Sequence, residues 1–411
     1  MLTEFRIVNF KALREAVVRP SLITVFIGAN GTGKSSVLQA LLMLRQSWNQ
    51  AGLQTSGELV DLGAFENVQH HVKTSLDEMT FGLSWQFKGL GRALTDEGVS
   101  FQYEMNFAGN TLASHSVRVA VDGHDPFLTA TMTRGANPSL NVAPEAGSAQ
   151  FQSHGVAIFG FPQIEINNSK LMDVWREAIA AVQGFLMNLR VVQSSRGFLE
   201  PQYPLLDGPS DEPGSPAETA STLAYERGLE RPLSVWLRKL LGTKATVRTD
   251  LTPGKKVAVG VEYAERLSNL VNEGFGINQL LERPLVELLM AKRGALVAIE
   301  EPEIHLHPKA QAVLALILAE AAKKDSKQVV ITTHSEHILI ALLTLVAQGR
   351  LAPSELAIHY FERKPRNTAR VTRLPVDDRG RVRGGLRGFF EAGISEFRRY
   401  QEAIEQLERG K

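Results

Sequence analysis

The sequence predicts an α/β protein with a mostly parallel core sheet, on three observations. Residues 22–27 form an apolar, β-branched run, and a glycine-rich turn and an amphipathic helical pattern follow it, as expected of a buried strand that leads into a helix. Two more apolar runs, at residues 296–299 and 328–332, lie near the other end of the chain, and alternating strands and helices indicate a parallel sheet. Between them, residues 79–134 alternate between apolar and polar side chains, which predicts antiparallel strands with one solvated face.

The composition is that of a folded globular protein. The chain has 411 residues, of which 44% are hydrophobic and 22% are charged, and this excludes intrinsic disorder as the overall class. Lys and Arg number 45 and Asp and Glu number 44, so we do not expect a protein that coats nucleic acid through its net charge. The absence of cysteine excludes disulfides, zinc ribbons, iron–sulfur clusters and cysteine nucleophiles. There is neither a signal-peptide pattern nor an apolar run of about 18 residues, so we expect a cytoplasmic protein with no membrane partner.

Changes of pattern along the chain predict five segments. Helical patterns replace the alternating strands after residue 165, and a stretch rich in proline, glycine and serine lies between two of these helices, which is typical of an exposed loop. The predicted segments are an N-terminal lobe (1–75), an antiparallel β subdomain (76–165), a helical insertion with a flexible loop at 207–217 (166–254), a C-terminal lobe (255–365) and a basic tail (366–411).

The turn after the strand at 22–27 has the spacing G-x-x-x-x-G-K-[ST], which is the pattern of a phosphate-binding loop. Its glycines let backbone N–H groups converge on phosphate oxygens, and the helix that follows adds its positive N-terminus. We expect Lys34 to reach the β- and γ-phosphates of a nucleotide and to face solvent in the empty loop, and Ser35 to hold Mg²⁺. A glycine turn that only starts a helix is the alternative. The predicted phosphate-binding residues are Gly28, Ala29, Asn30, Gly31, Thr32, Gly33, Lys34, Ser35 and Ser36.

Two carboxylates and a histidine end the two later apolar strands. Glu300 and Glu301 follow the first of these strands, at the strand end where sheets of this kind bind ligands. We expect Glu300 to steady the Mg²⁺ shell and Glu301 to orient or deprotonate the attacking water, with Glu303 as the next candidate. His334 follows the second strand and is expected to donate a hydrogen bond to a γ-phosphate; capping of the strand end is the alternative.

Two further patterns have weaker functional interpretations. Gly274 and Gly276 open the helix that precedes the acidic strand, and a helix start of this kind can bind an anion, although similar turns before helices are common. Four histidines near the acidic motif offer a metal-binding alternative to the nucleotide site. They are His305, His307, His334 and His337.

Four motifs follow one another along the chain: the phosphate loop, the glycine-bearing helix start, the paired carboxylates and the histidine. In this order they resemble the motifs of the ABC-type ATPases, specifically the branch with SMC, Rad50, RecF and the overcoming-lysogenization-defect (OLD) ATPases. Ile7–Arg14 is similar to the first strand of that branch, Glu300–Pro308 to its acidic motif, and Gly274–Gln279 stands at the position of the ABC signature. The resemblance covers residues 1–75 and 255–365 and implies a P-loop NTPase fold with an ABC-type ATPase head.

The resemblance also implies a cofactor set and an assembly. Two ATP molecules with Mg²⁺ would be sandwiched in a head-to-tail homodimer, and the dimers could build a higher oligomer. The signature of one subunit, through Gly276 or Asn278, would contact the γ-phosphate bound to the other subunit. The glutamine that senses Mg²⁺ in such proteins is not obvious here; Gln69 is the first candidate, with Gln46 and Asn67 behind it.

The region between the phosphate loop and the acidic motif contains no sustained heptads, which argues against a coiled-coil arm and for the compact OLD-like ATPases. Many of these belong to bacterial defence against phage or plasmid DNA. OLD nucleases carry acidic metal ligands in a C-terminal Toprim domain, whereas the only adjacent acidic pair after His334 is Asp377-Asp378. We therefore expect the effector, a nuclease or a toxin, in another chain.

Two questions stay open at this point. The arginines of the tail fit either a nucleic-acid surface or stems packed on a solvated hairpin and helix. The sequence favours an ATPase that acts as a conformational switch in DNA repair or defence. The alternative is a nucleotide-gated scaffold or sensor, which binds ATP with negligible turnover and sequesters a partner protein.

Overall fold

The computed structural model describes residues 1–48, 50, 52–70, 78–87, 98–121, 124–134, 139–142, 149–151, 164–264, 266–365 and 368–385. Its strands are β1 (Leu2–Phe10), β2 (Leu13–Val18), β3 (Ile23–Gly28), β4 (Met79–Phe87), β5 (Val99–Ala108), β6 (Thr111–Val121), β7 (Leu128–Thr133), β8 (Ser139–Val142), β9 (Ala149–Phe151), β10 (Ile164–Ile166), β11 (Arg190–Val192), β12 (Tyr203–Pro204), β13 (Thr246–Thr252), β14 (Lys256–Tyr263), β15 (Arg266–Asn269), β16 (Leu296–Glu300), β17 (Gln328–Thr332), β18 (Leu356–Lys364) and β19 (Thr368–Leu374). Its α-helices are α1 (Lys34–Ser47), α2 (Phe65–Val68), α3 (Ser169–Met187), α4 (Pro216–Tyr225), α5 (Glu230–Leu241), α6 (Phe275–Glu282), α7 (Pro284–Met290), α8 (Pro308–Asp325) and α9 (Glu336–Ala347). None of these helices, within the described ranges, is long and apolar enough to cross a membrane.

A six-stranded sheet in the order β11-β16-β17-β3-β18-β19 forms the centre of the fold. Its first five strands are parallel and β19 is antiparallel to β18, so the predicted mostly parallel sheet is confirmed. Every residue of β3 and β17 is buried, since apolar clusters cover both faces of the sheet. The register pairs Glu300 with Thr332, and Thr332 with Phe26. The loops that follow β16, β17 and β3 therefore meet at one edge, which is where ligands bind in such sheets.

A seven-stranded antiparallel sheet in the order β2-β1-β4-β5-β6-β7-β8 forms the second layer. Alternate residues of β4, such as Phe81 and Trp85, are buried, and α3 packs on this face with Phe185 against Trp85. The predicted antiparallel strands are therefore present. Because β1 and β2 belong to the same sheet, the predicted boundary between residues 75 and 76 is wrong, since it divides one sheet.

The region 166–254 is more than the helical insertion that the sequence predicts. It contains α3, α4 and α5, but β11 joins the core sheet beside β16, and β12 and β13 form a small sheet with β14 and β15. The pattern analysis missed β11 because a strand of three residues is too short to show a period. The chain therefore returns to the core sheet in the middle of this region, next to the acidic strand.

The loop 207–217, predicted as flexible, is held by partly buried ion pairs. The Glu212 carboxylate accepts hydrogen bonds from both terminal nitrogens of Arg45, at 2.6 and 2.5 Å. It also lies 2.6 Å from Arg190, whose guanidinium is 3.7 Å from the buried Glu287. The prediction of flexibility is corrected because a proline- and glycine-rich composition does not reveal a charged anchor whose partners are distant in sequence.

The described part of the basic tail begins with β19 and a tight turn. Asp377 accepts the backbone N–H groups of Arg379 and Arg381, at 3.0 and 2.8 Å. These bonds lower the pKa of Asp377, with the Arg381 N–H as the largest cause, and place the acidic pair in a turn. Residues 366–367 and 386–411 of the predicted tail lie outside the described residues.

Candidate active site

The phosphate loop joins the end of β3 to the start of α1. Gly28 has φ 143° and lies against the backbone of Phe361, so a side chain would not fit there. Gly31 (φ 71°) and Gly33 (φ 95°) are left-handed, a conformation that glycine adopts without strain. The loop thus has the backbone shape that converging N–H groups require, and Ala29, Asn30 and Gly31 are exposed along its rim.

Lys34 does not face solvent, and this corrects the expectation from the sequence. The residue is only 6% exposed, and its amine donates to the carbonyl oxygens of Gly28, at 2.8 Å, and Ala29, at 2.9 Å. Burial lowers the pKa of Lys34, while the carboxylates of Glu301 and Glu303 raise it. Its amine therefore closes the loop on itself and has to turn outward to reach a phosphate. Around it, Ser35 is exposed and Thr32 and Ser36 are buried.

The acidic motif follows β16 directly. Glu301 has φ 42°, which is the strained left-handed region for a residue with a side chain. Its backbone N–H donates to the carbonyl oxygen of Thr332 at 2.9 Å, so the end of β17 holds the turn. Glu303 is buried, and its Oε1 accepts from the Thr333 hydroxyl and the His334 backbone N–H, both at 2.7 Å. Burial raises the pKa of Glu303 and these two bonds lower it, so Glu303 fixes the histidine segment.

His334 and Glu301 face each other at the opening of the site. Their Nε2 and Oε1 atoms are 3.9 Å apart, with side-chain exposures of 39% and 37%, which is beyond hydrogen-bond distance. Burial and the charge of Lys34 lower the pKa of His334, while Glu301 raises it. The structure therefore brings Lys34, Glu301, Glu303 and His334 into one electrostatic group, as the sequence predicted for Lys34, Glu301 and His334.

Arg196, in the segment after β11, is a site residue that the sequence analysis missed. Its guanidinium donates to the carbonyl oxygens of Glu300, at 2.7 Å, and Glu301, at 2.9 Å. Nearby, the backbone N–H of Ser194 lies 3.4 Å from Glu300 Oε2. Arg196 is 104 residues from Glu300 in the sequence, so no local pattern connects the two. The strand β11 would have been the signal, but it was too short to recognise.

The signature segment forms the start of α6, as predicted, but its residues have different environments. Gly274 is the residue before the helix, and a Cβ there would meet no atom within 4 Å. A Cβ on Gly276 would lie 2.6 Å from the His305 carbonyl oxygen, so close packing requires this glycine. Phe275 is 61% exposed, and its ring centroid is 5.7 Å from that of His305. The apolar ring and the open backbone of Gly274 are thus the accessible parts of the signature.

Asn278 faces the interior, and this corrects its prediction as a nucleotide contact. It is 3% exposed. Its amide oxygen accepts from the Phe198 N–H at 2.6 Å, and its amide nitrogen donates to the carbonyl oxygens of Phe198 and Leu270, at 2.9 and 3.0 Å. In this conformation the side chain joins α6 to the segment that carries Arg196.

The candidates for the magnesium-sensing glutamine differ in their contacts. The Gln46 amide is bonded to the backbone of Gln54 and Val60, which is a structural role. Gln69 pairs its backbone with Phe10, at the turn after β1, while Asn67 is exposed. From the same turn, the Lys11 amine donates to Gln39 at 2.7 Å. Gln39 lies one turn after Ser35 on α1 and therefore on the same helix face, so Lys11 is a second cation near the phosphate loop.

The site suits a nucleotide with Mg²⁺ better than a metal held by histidines. Among the described residues, no three His, Asp or Glu side chains lie close enough together to hold a metal ion; His307, for example, caps α8. Mg²⁺ commonly takes one or two protein oxygens together with phosphates and water. Exposed Ser35, at the start of α1 after β3, and half-buried Glu300, at the end of β16, supply such oxygens and are the residues that would hold the ion. The strand β17 lies between β3 and β16 in the core sheet.

Comparison with known proteins finds a matching domain family and a similar curated protein. The AAA ATPase domain family matches residues 1–98 and 259–339, two segments that include the phosphate loop, the acidic motif and His334. The OLD nuclease of Thermus scotoductus is 22% identical over 345 residues, which are 82% of this chain and 59% of that protein. The present chain thus spans 59% of the length of this curated relative.

A solved structure of an SMC head has a similar fold. The SMC head bound to the C-winged helix domain of ScpA has a TM-score of 0.52 and 12% identity, covering 92% of this chain and 98% of that one. The SMC head domain from Thermotoga maritima covers 92% of this chain and 99% of its own, at 12% identity and a TM-score of 0.43. The first of these supports the fold assignment, and its low identity carries no assignment of activity.

Proposed function

We propose that this chain, an ABC-class ATPase of the SMC, Rad50 and OLD-like branch, hydrolyses ATP at a site shared by two head-to-tail copies. One observation carries the proposal: Glu301 projects from a strained turn, 3.9 Å from His334, beside the amine of Lys34. A carboxylate, a histidine and a phosphate-loop lysine at one sheet edge can bind a triphosphate and direct a water at it.

We assign the following roles to the side chains, and their geometry supports them. Lys34 leaves the carbonyl oxygens of Gly28 and Ala29 and donates to the β- and γ-phosphate oxygens. Glu301 accepts a hydrogen bond from the attacking water, orients it and takes up its proton. His334 has a lowered pKa, so as a neutral imidazole it donates one N–H to the γ-phosphate.

Magnesium and the remaining site residues support this step. Ser35 and Glu300 would hold Mg²⁺, which would neutralise part of the phosphate charge. Gln69 is proposed to lie next to the coordination shell of this ion. Glu303 keeps the His334 segment in place through the bonds that it accepts. Lys11, on the same side of α1 as Ser35, is proposed to add positive charge near the phosphates.

The shared site is proposed on the exposed start of α6. Gly274 has open space around it and Phe275 is exposed, so the backbone N–H groups of the helix start are accessible to an anion. A two-fold arrangement would use the patch twice, once for each phosphate loop. ATP then joins the two copies, and its hydrolysis lets them separate, so that the head acts as a conformational switch. We also propose that such dimers assemble into a higher oligomer.

The cellular process is proposed to be DNA repair or defence against phage or plasmid DNA, with a nuclease or toxin in another chain as the effector. The likeness to an OLD nuclease supports this class. Nucleic acid is proposed as a partner, because the lining of a groove of about 450 Å³ includes four basic side chains, two of which are paired with carboxylates of Glu15, Glu104 and Glu362. The basic ones are Arg6, Arg14, Lys364 and Arg370.

The test is phosphate release by the wild type and by Glu301→Gln, with ATP binding measured separately. We expect wild-type turnover, and a variant that binds ATP normally but hydrolyses it at least about 100-fold more slowly, the usual scale for a positioned base. Near-normal turnover in the variant would mean that Glu301 is not the base. Tight ATP binding without wild-type turnover would instead identify the nucleotide-gated scaffold.

A further inference from the structure

The segment between β11 and β12 crosses the back of the acidic motif. Its central side chain, Arg196, is largely buried and donates three hydrogen bonds to main-chain carbonyl oxygens. They belong to Gln193 at 2.7 Å, Glu300 at 2.7 Å and Glu301 at 2.9 Å. One guanidinium thus fixes its own loop and two consecutive residues of the acidic motif, a planar fork geometry that lysine does not provide.

The other end of this segment is fixed to the signature helix α6. Asn278 makes the hydrogen bonds to both backbone groups of Phe198 described above. Gly197, between Arg196 and Phe198, has φ 125°, and a Cβ there would lie 3.2 Å from the Asn278 side chain. Residues 193–198 therefore connect α6 to the acidic motif through a close contact at each end.

The charges around Arg196 agree with a fixed position. Burial lowers the pKa of its guanidinium, and carboxylates oppose this effect, with Glu282 first and Glu303, Glu300 and Glu301 after it. Glu282 is the last residue of α6 and is buried. Burial of a cation is costly without such compensation, so the carboxylates of α6 and of the acidic motif favour the charged form of Arg196.

The bonds from Arg196 act where the backbone is strained. Glu301 adopts φ 42°, a conformation that persists only when its surroundings hold it. Thr332 holds the N–H of Glu301 and Arg196 holds its carbonyl oxygen. These two hydrogen bonds, one to the N–H and one to the carbonyl oxygen of Glu301, hold the strained turn from which its carboxylate faces the opening of the site.

We propose that Arg196 is a positioning residue for hydrolysis, which fixes the backbone of Glu300 and Glu301 and couples it to the signature helix; this rests on the proposed function. The terminal nitrogens of Arg196 are bonded to main-chain carbonyl oxygens, so in this role Arg196 does not contact the nucleotide or the attacking water. It acts through the conformation of Glu301, so its loss should slow the chemical step and leave ATP binding nearly unchanged.

The experiment compares Arg196→Ala and Arg196→Lys with Arg45→Lys as the matched control. Arg45 is also poorly exposed and donates to a main-chain carbonyl, that of Leu189, and to Glu212, but it does not contact the acidic motif. We expect kcat to fall at least about 30-fold in Arg196→Ala and less in Arg196→Lys, because a lysine amine reaches fewer of the carbonyl oxygens. Kd for ATP should stay within about threefold in both variants, and the control should keep its kcat within about twofold.

Two further measurements separate positioning from a general loss of structure. In Arg196→Ala, amide hydrogen exchange at Glu301 should rise at least about tenfold without nucleotide, while exchange in β3 stays unchanged. Methylguanidinium at millimolar concentration should restore part of kcat in Arg196→Ala and none in Glu301→Gln.

The outcomes are distinguishable from a failure of the proposed function. If the wild type does not release phosphate, the ATPase proposal fails, and the exchange at Glu301 still tests Arg196. Unchanged kcat and unchanged exchange in Arg196→Ala, beside an active wild type, would overturn the positioning role alone. If Arg196→Ala does not fold, Arg196→Lys decides: the role is refuted if its kcat stays within about twofold of the wild type or its Kd rises in proportion to any loss of kcat.

Discussion

Lys34 donates hydrogen bonds to two carbonyl oxygens of its own loop, so nucleotide binding has to replace these bonds. Removal of the amine leaves the carbonyl oxygens of Gly28 and Ala29 without this donor. The residue thus contributes to the folded conformation of the loop as well as to the proposed phosphate binding.

For Lys34→Ala we expect loss of ATP binding together with a moderate loss of stability. The free energy of unfolding should fall by about 1 kcal/mol, because a buried group without a partner costs about 1–3 kcal/mol and water can reach part of this loop. Urea unfolding and titration with a fluorescent ATP analogue measure the two effects. Lys244→Ala, at an exposed lysine, is the control for stability. Retained micromolar ATP affinity in Lys34→Ala would contradict the assignment of the loop.

His359 makes the stability of the fold depend on pH. It is fully buried in β18, its Nε2 accepts the Arg19 backbone N–H at 3.1 Å, and burial lowers its pKa to about 3, helped by the charges of Arg373 and Arg19. In the unfolded chain His359 takes up a proton below about pH 6.5, whereas in the folded chain it does so only near pH 3. The folded state therefore loses stability as the pH is lowered from about 6.5 to 3.

The expected cost at pH 5 is about 2 kcal/mol for this histidine. Urea unfolding of the wild type and of His359→Gln, at several values between pH 7 and pH 4.5, measures it. The variant should lose this part of the slope, while buried His115, whose pKa burial lowers to about 4, keeps its own share. An unchanged slope in His359→Gln would show that the side chain titrates normally in the fold.

At the scale of elements, the two glycines of the signature differ in their role: Gly276 is needed for packing, whereas Gly274 is open to a ligand. Gly276 lies against the backbone of His305, where a Cβ would be 2.6 Å from the carbonyl oxygen, whereas Gly274 has φ −58° and open space. We expect Gly276→Ala to lower the free energy of unfolding by about 1–3 kcal/mol, the usual cost of overpacking. Gly274→Ala should change it by no more than about 0.5 kcal/mol. Equal losses in urea unfolding would contradict this packing.

The sequence was sufficient for the elements whose signal is local. The phosphate loop and the apolar core strands are contiguous patterns, and parallel pairing then brings Glu301 and His334 to the loop without further information. Arg196 could not be found in this way, because its bonds cross 104 residues. The orientation of Asn278 depends on its bonds to Phe198, 80 residues away, for the same reason. Lys34 bonds within its own loop, but the spacing of a phosphate loop does not tell whether the amine turns to these carbonyl oxygens or to solvent.

At the scale of the whole molecule, two sheets converge on the proposed nucleotide site. From the antiparallel sheet, the start of β2 lies against the phosphate loop, where a Cβ on Gly33 would be 2.9 Å from the Leu13 side chain, while the acidic motif comes from the core sheet. The signature helix is joined to that motif by residues 193–198. A nucleotide held between two copies would therefore contact elements of both the antiparallel sheet and the core sheet. Its binding and release could then shift both sheets, as expected of a conformational switch.

The shared site is tested most directly by complementation between two inactive variants. Lys34→Ala removes the phosphate loop of one copy, and Gly274→Asp places a negative charge at the signature without disturbing the fold. Each should be inactive alone. In a 1:1 mixture, about half of the dimers would contain both chains and one intact composite site, so phosphate release should recover to about a quarter of the wild-type rate. A mixture that stays at the level of the separate variants, or a Gly274→Asp protein with the wild-type rate on its own, would contradict an active site shared between two copies.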